Sequence, residues 1–218
     1  MSNSYLTIAD NHTYEQIIKK SKFICSLARI HSEEDAKSFI EKVASNNPKA
    51  NHNCFAYMLG DHDEIQRESD NGEPSGTAGV PILQALQHIG IHDVVAVVTR
   101  YFGGIKLGAG GLIRAYSGST SNAIHEIGLI ERVLQDTLQV EVSYSLHDQL
   151  LYFLQQQNIS VGDQQYGVNV NITIFVNHEK LSEVINDLTN QFHDQLNIKV
   201  KTPRYNEIAY DIKKAEER

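Results

Sequence analysis

The chain has 218 residues, 41% of them hydrophobic and 21% charged, which is the composition of a folded globular protein and not of a disordered one. Nineteen Lys and Arg stand against 27 Asp and Glu, and a net charge of −8 argues against a general nucleic-acid coat protein. The longest purely aliphatic run, Val94 to Val98, is far short of a membrane helix; the N-terminus lacks a secretory signal, and Cys25 and Cys54 show no framework spacing, so a cytoplasmic setting with no membrane partner is expected.

In chain order, Thr13–Lys19 and Lys22–Ile30 read as strands. Ser32 followed by Asp35 resembles a capping box, and the helix after it carries Ala36, Phe39, Ile40 and Val43 at helical spacing, stopping before Pro48. Cys54–Leu59 and Glu64–Glu68 read as strands. Pro81 suits a helix's first turn and Gly90 its end, with Ile82, Leu83, Ala85, Leu86 and Ile89 as the apolar face. Asp93–Arg100 (DVVAVVTR) is a buried strand by its β-branched content. A long helix follows from about Gly110 to Glu126, with many small residues for close packing. Leu138–Tyr144, a helix at Leu146–Leu154, a hairpin around Gly167, a helix at Leu181–Leu188 and a strand ended by Pro203 complete a βαββαβ order, the ferredoxin-like plan.

Twelve of the fourteen glycines lie between Gly60 and Gly128. The change in glycine usage predicts an α+β chain of two domains, residues 1–133 and 137–206, with a boundary near Arg132–Thr137 and a charged tail at 207–218.

The segment RYFGGIKLGAGGLIRAY, residues 100–116, holds five glycines within nine residues, between a buried strand and a helix start. From Val94 to His125 there are three cations (Arg100, Lys106, Arg114) and no acid. Free backbone N–H groups, a helix N-terminus and cations together make an anion site. The expected donors are the backbones of Gly103, Gly104, Gly108, Gly110 and Gly111, and the expected ligand bears phosphate: RNA, a nucleotide or a small metabolite. Gly110 is expected to need its freedom of φ, so that Val there would harm folding and binding alike. The alternative is that the glycines serve close packing and the cations are solvated. A Walker A loop fails for lack of Gly-Lys-Ser/Thr, and a dinucleotide fingerprint fails at Ile113. No NAD, FAD or P-loop nucleotide cofactor is expected.

The segment ESDNGEPSGTAG, residues 68–79, ends a run from Asp61 to Glu73 with six acids and one Arg. Asp70 and Glu73 are candidates to hold a divalent cation, the one cofactor the sequence admits, or to orient a cationic group. Arg100, ending its strand, is a candidate ion-pair partner for either acid. Ser75 and Thr77 are secondary candidates whose ordinary role would be to cap the next helix. His52 and Cys54 share a strand face, where a buried thiol beside a hydrogen-bonded imidazole is commoner than a reactive pair. No catalytic constellation emerges from the residues alone.

The run ESDNGEPSGTAGVPIL, followed by VVAVVTRYFGGIKLGAGGLIRAYS, resembles the signature of the YigZ/Impact family, over roughly residues 15–130. The C-terminal half is similar to the small second domain of bacterial members. The resemblance implies a first domain with the fold of ribosomal protein S5 domain 2 and a second like the last, ferredoxin-like domain of elongation factor G. It also implies a link to translation, because the family's eukaryotic Impact protein relieves amino-acid-starvation control by competing for the scaffold that activates an initiation-factor kinase. Those partner contacts rely partly on an RWD domain that this sequence lacks, so that partner mode is not expected here. Small-molecule kinases of the GHMP type share the S5-like fold. The expectation is therefore a non-enzymatic, translation-linked protein that binds RNA, the ribosome or another phosphate-bearing ligand. An enzyme acting on a phosphorylated small molecule and a protein-interaction module are the rivals.

Overall fold

The computed structural model describes residues 3–60 and 63–210. The expected tail at 211–218 and Asp61 of the acidic run lie outside these residues. The chain divides into two compact units between Glu131 and Arg132, with residues 208–210 grouped with the first. Strand β1 (Ser4–Thr7) opens the chain.

The first unit contains β2 (His12–Ile18), β3 (Ser21–Arg29), α1 (Glu33–Asn46), β4 (His52–Leu59), β5 (Ile65–Ser69), α2 (Gly79–Ile89), β6 (Val94–Tyr101) and α3 (Ala109–Ile127). Its antiparallel sheet has the order β2-β3-β6-β4-β5. Central β6 is buried at every residue from Val94 to Arg100 because both sheet faces are covered. Val94, Ala96 and Val98 join Cys25, Leu27, Cys54 and Ala56 in a core completed by Ile82 and Leu86 of α2 and Leu112 and Tyr116 of α3. Val95 and Val97 point the other way and pack with Ala36 and Val43 of α1. A strand's period of two thus feeds two cores from one apolar run. Ser32 Oγ accepts from the Asp35 N–H at 3.1 Å, and Asp35 accepts from the His31 N–H at 2.9 Å, so the expected cap forms with its return bond one residue earlier. Gly90 ends α2 in the left-handed region at φ 73°.

The second unit contains most of β7 (Leu129–Val142), then α4 (Tyr144–Gln156), β8 (Ser160–Tyr166), β9 (Val170–Asn177), α5 (Leu181–Gln191), β10 (Asn197–Val200) and the start of β11 (Arg204–Tyr210). Strand order β10-β7-β9-β8, all antiparallel, is that of the ferredoxin-like plan. Val170, Ile172, Ile174 and Val176 alternate inward against Leu150 and Leu154 of α4 and Leu188 of α5.

The division between the units falls at the edge of the boundary expected near Arg132–Thr137, and β7 runs unbroken through it from Leu129 to Val142. One expectation changes. The tail expected from residue 207 begins inside β11, which pairs with β7 and is tied to it by Asn206 Nδ2 donating to Gln135 Oε1 at 2.9 Å. Pro203 precedes this strand and so breaks no ladder within it.

Candidate anion site at the start of a helix

Sheet register builds the floor of the site. Arg100 of β6 lies opposite Phe23 of β3 on one side and His52 of β4 on the other. This row continues the face that carries Cys25, Val98 and Cys54, so the apolar core ends on a cation flanked by an aromatic ring and an imidazole. Arg100 is only 5% exposed. Its Nη1 donates to Glu73 Oε1 at 2.5 Å, and the same oxygen accepts from the Tyr116 hydroxyl at 2.8 Å. Glu73 is itself buried. Arg100 therefore pairs with Glu73, one of the two acids named from the sequence. Burial, with Cys54 and Glu73 close by, pushes the Tyr116 phenol far up, so it is a permanent donor.

Asp70 does something else. Its Oδ1 accepts from the N–H groups of Ala78 and Gly79 at 2.9 Å each, and its Oδ2 from Gly76 at 2.7 Å. These are the donors at the start of α2, so Asp70 caps that helix from eight residues upstream of Ala78. Ser75 and Thr77 do not cap it: the N-cap position is Ala78, and the Thr77 hydroxyl donates back to the Pro74 carbonyl at 2.6 Å. Partial burial raises the Asp70 carboxyl, but N–H groups of Gly76, Gly79, Ala78 and Thr77 outweigh it and hold the group below the usual carboxylate range. The folded-state pKa is thus depressed. The stabilisation it brings is present above the unfolded value of about 4 and is lost as pH falls through the folded value. Asp70→Ala is expected to destabilise by about 2 kcal/mol at neutral pH, the worth of a charged cap serving several donors. Urea unfolding at pH 7 and pH 3 checks it, since the gap between wild type and variant should narrow at the lower pH.

The glycine run connects β6 to α3. Gly104 (φ 86°) and Gly108 (φ 71°) occupy the left-handed region, which the turn requires. Gly103 serves packing: its N–H donates to Ser21 Oγ at 3.2 Å, and a Cβ there would fall on the Lys20 carbonyl. It is therefore not one of the free donors expected. Gly111 faces Leu107, whose Cβ lies 3.1 Å from where its own would be. Gly110 is helical and has room for a side chain, with Arg114 Nη1 the nearest atom at 3.8 Å, so its expected need for φ freedom is not met. That contact brings Arg114 back along the first turn of α3. The N-cap of α3 is Gly108, which has no side chain to offer its first turn. The first-turn N–H groups of a helix have no partner within it.

A hollow of about 460 Å³ opens at this helix start, lined among others by His52, Glu73, Arg100, Phe102, Lys106 and Gly108. Lys106 is exposed. Lys19 and Lys20 of the β2–β3 turn both have positive φ, and the backbone of Lys20 lies beside Gly103. His52 Nδ1 lies 2.9 Å from the Asn71 carbonyl, which only accepts, so Nδ1 carries the proton. Its Nε2 is 4.0 Å from Glu73 Oε1. Cys54 is inert: burial pushes its thiol up to about 12, and it donates to the Asp70 carbonyl at 2.8 Å. Among the described residues, no group of three or more His, Cys, Asp or Glu side chains is placed to hold a metal.

The structure thus brings Arg100, Glu73, Lys106 and Gly108 to one hollow and sets Arg114 on the adjoining helix turn. It gives Asp70, Ser75 and Thr77 to the neighbouring loop. Phe102 and His52 were not singled out for the site. For Phe102 a signal existed, an aromatic between a strand-end cation and two glycines. For His52 the signal appears only with the pairing of β4 and β6.

Comparison with known proteins places these features in a family. The Impact N-terminal domain matches residues 19–124, and a domain of unknown function, DUF1949, matches residues 140–195. IMPACT family member YvyE of Bacillus subtilis is 42% identical over 193 residues, covering 87% of this chain and 89% of that protein. IMPACT family member YigZ of Escherichia coli is 44% identical over 126 residues, covering 57% of this chain and 62% of that one. A crystal structure of a hypothetical protein, 32% identical, aligns with a TM-score of 0.60 over 91% of this chain and 97% of that chain.

Proposed function

The chain belongs to the Impact family, and we propose that it is a translation-linked regulatory protein of the cytoplasm that binds an anion, a phosphate of RNA or of a nucleotide, at the start of α3. One observation carries this reading. The N-terminus of α2 is closed by the protein's own carboxylate, Asp70, while α3 starts from Gly108, which has no side chain to cap it, and opens on a hollow lined by Gly108, Ala109 and Lys106. A helix start and a cation aimed at one space favour negative charge there. The acid in the hollow, Glu73, is already paired with Arg100 and so repels an incoming anion little. The link to translation rests on the family resemblance.

Titration of wild type and Lys106→Ala with short single-stranded RNA, nucleotides and phosphate, each at low and high salt, tests the reading. Lys106→Ala is expected to weaken RNA binding and to reduce the salt slope by about 1, as the loss of one phosphate contact does. It should leave stability nearly unchanged, since an exposed loop charge contributes little to folding. If no anion binds wild type, or Lys106→Ala binds as well, the glycines serve packing alone.

A second reading, an enzyme acting on a phosphorylated small molecule, is favoured by His52. Its Nδ1 proton is fixed by the Asn71 carbonyl, which leaves Nε2 as a base in the same hollow. One-to-one saturation by a small phosphate ester, with weak salt dependence, supports it over RNA.

A further inference from the structure

We propose that Phe102 is a stacking platform and that the ligand of the hollow is a nucleotide unit, its base on Phe102 and its phosphate at the start of α3; this rests on the anion reading above. Phe102 is 47% exposed although it borders the buried Arg100. Its backbone is fixed, because its N–H donates to Asn51 Oδ1 at 2.7 Å. The Arg100 guanidinium stands over the ring at 5.6 Å from the centroid, and over the Phe23 ring at 5.4 Å. One face of Phe102 thus rests on a held cation, and the exposed remainder is presented to the hollow. An exposed aromatic held in place is what a base needs and what a bare phosphate or phosphosugar does not use.

The hollow has matching halves. Pro74, Leu107 and Leu112 give it an apolar side, and Lys106 with the backbone of Gly108 and Ala109 gives it a phosphate side. Arg100 borders the hollow with its side chain almost wholly buried, so its charge is fixed beneath any ligand while Glu73 holds its Nη1. The volume suits one nucleotide unit, free or within a single strand.

The chain contains no Trp, so Phe102→Trp places a single indole at the platform. Its fluorescence is followed on titration with UMP, AMP, a single-stranded RNA hexamer, ribose 5-phosphate and inorganic polyphosphate. Quenching by the nucleotides or the hexamer, and not by ribose 5-phosphate or polyphosphate, is the expected result. Saturation by UMP or AMP at concentrations near those of the hexamer identifies a free nucleotide; strong preference for the hexamer identifies a strand. In parallel, anisotropy of a labelled hexamer is read with wild type, Phe102→Leu and Phe102→Tyr. Leu is expected to weaken binding about tenfold and Tyr to restore it, because stacking and not bulk is the requirement. If Phe102→Leu binds the hexamer as wild type does, or polyphosphate displaces the hexamer equally from both, the platform is overturned while the anion reading stands. If no phosphate-bearing probe binds wild type, both fall.

Discussion

Glu73→Ala is expected to lower the stability of the first unit by about 3–5 kcal/mol, the cost of leaving a buried charge without its partner. Arg100 is 5% exposed and Glu73 is 9% exposed, so water has little access to either when the other is removed. Tyr116, fully buried against Phe23 at a ring separation of 5.4 Å, would lose its acceptor at the same time. The effect belongs to the broken pair and not to any large net worth of the ion pair, because both ions lost their hydration on folding. A double replacement separates the two. Glu73→Leu with Arg100→Met removes both charges, and it should recover most of the stability that Glu73→Ala loses. Urea unfolding followed by circular dichroism measures all three chains. If Glu73→Ala costs under about 1 kcal/mol, the pair is effectively solvated in solution, and the description of a buried charge at the floor of the hollow is wrong.

The parts of this site that could be read from the sequence were those set by neighbours along the chain. The valines of Val94–Val98 announced a strand covered on both faces, and the five glycines between Arg100 and Arg114 announced a turn into a helix. Arg100 was named with Glu73 as one of two partners, and the structure selects Glu73 because Asp70 is occupied by three backbone N–H groups. That occupation was not legible, since Ser75 and Thr77 stand closer to α2 in sequence and make better-known caps. Nor was the row Phe23–Arg100–His52, which exists only through the pairing of β3, β6 and β4. In the second unit the alternation of β9 was plain, whereas β11 was hidden behind Pro203 and its charged neighbours, and the long β7 was split because glycine usage changes where the strand does not.

The glycine run itself offers the other large effect. Gly103→Ala is expected to cost about 2–3 kcal/mol and to abolish anion binding, although Gly103 is no direct donor to the ligand. A Cβ at residue 103 would overlap the carbonyl group of Lys20, which is backbone and has no flexible end to swing away. The β2–β3 turn cannot absorb the shift easily, because Lys19 and Lys20 already hold φ of 46° and 64° and the adjoining Lys22 is fixed in the ladder opposite Tyr101. The loop would have to lift, carrying Phe102 and Lys106 with it. Two neighbours separate this steric effect from conformational freedom. At Gly104 a Cβ meets nothing within 4 Å but φ is 86°, so Gly104→Ala should cost about 1 kcal/mol through the left-handed backbone alone. At Gly110 the space is open and the backbone is helical, so Gly110→Ala should be neutral or stabilising by up to about 1 kcal/mol. Thermal unfolding of the three single variants gives the order. A Gly103→Ala chain as stable as Gly104→Ala would mean that the loop does not lie against the Lys20 turn, and the seat that holds Phe102 and Lys106 at the hollow would then be wrongly described.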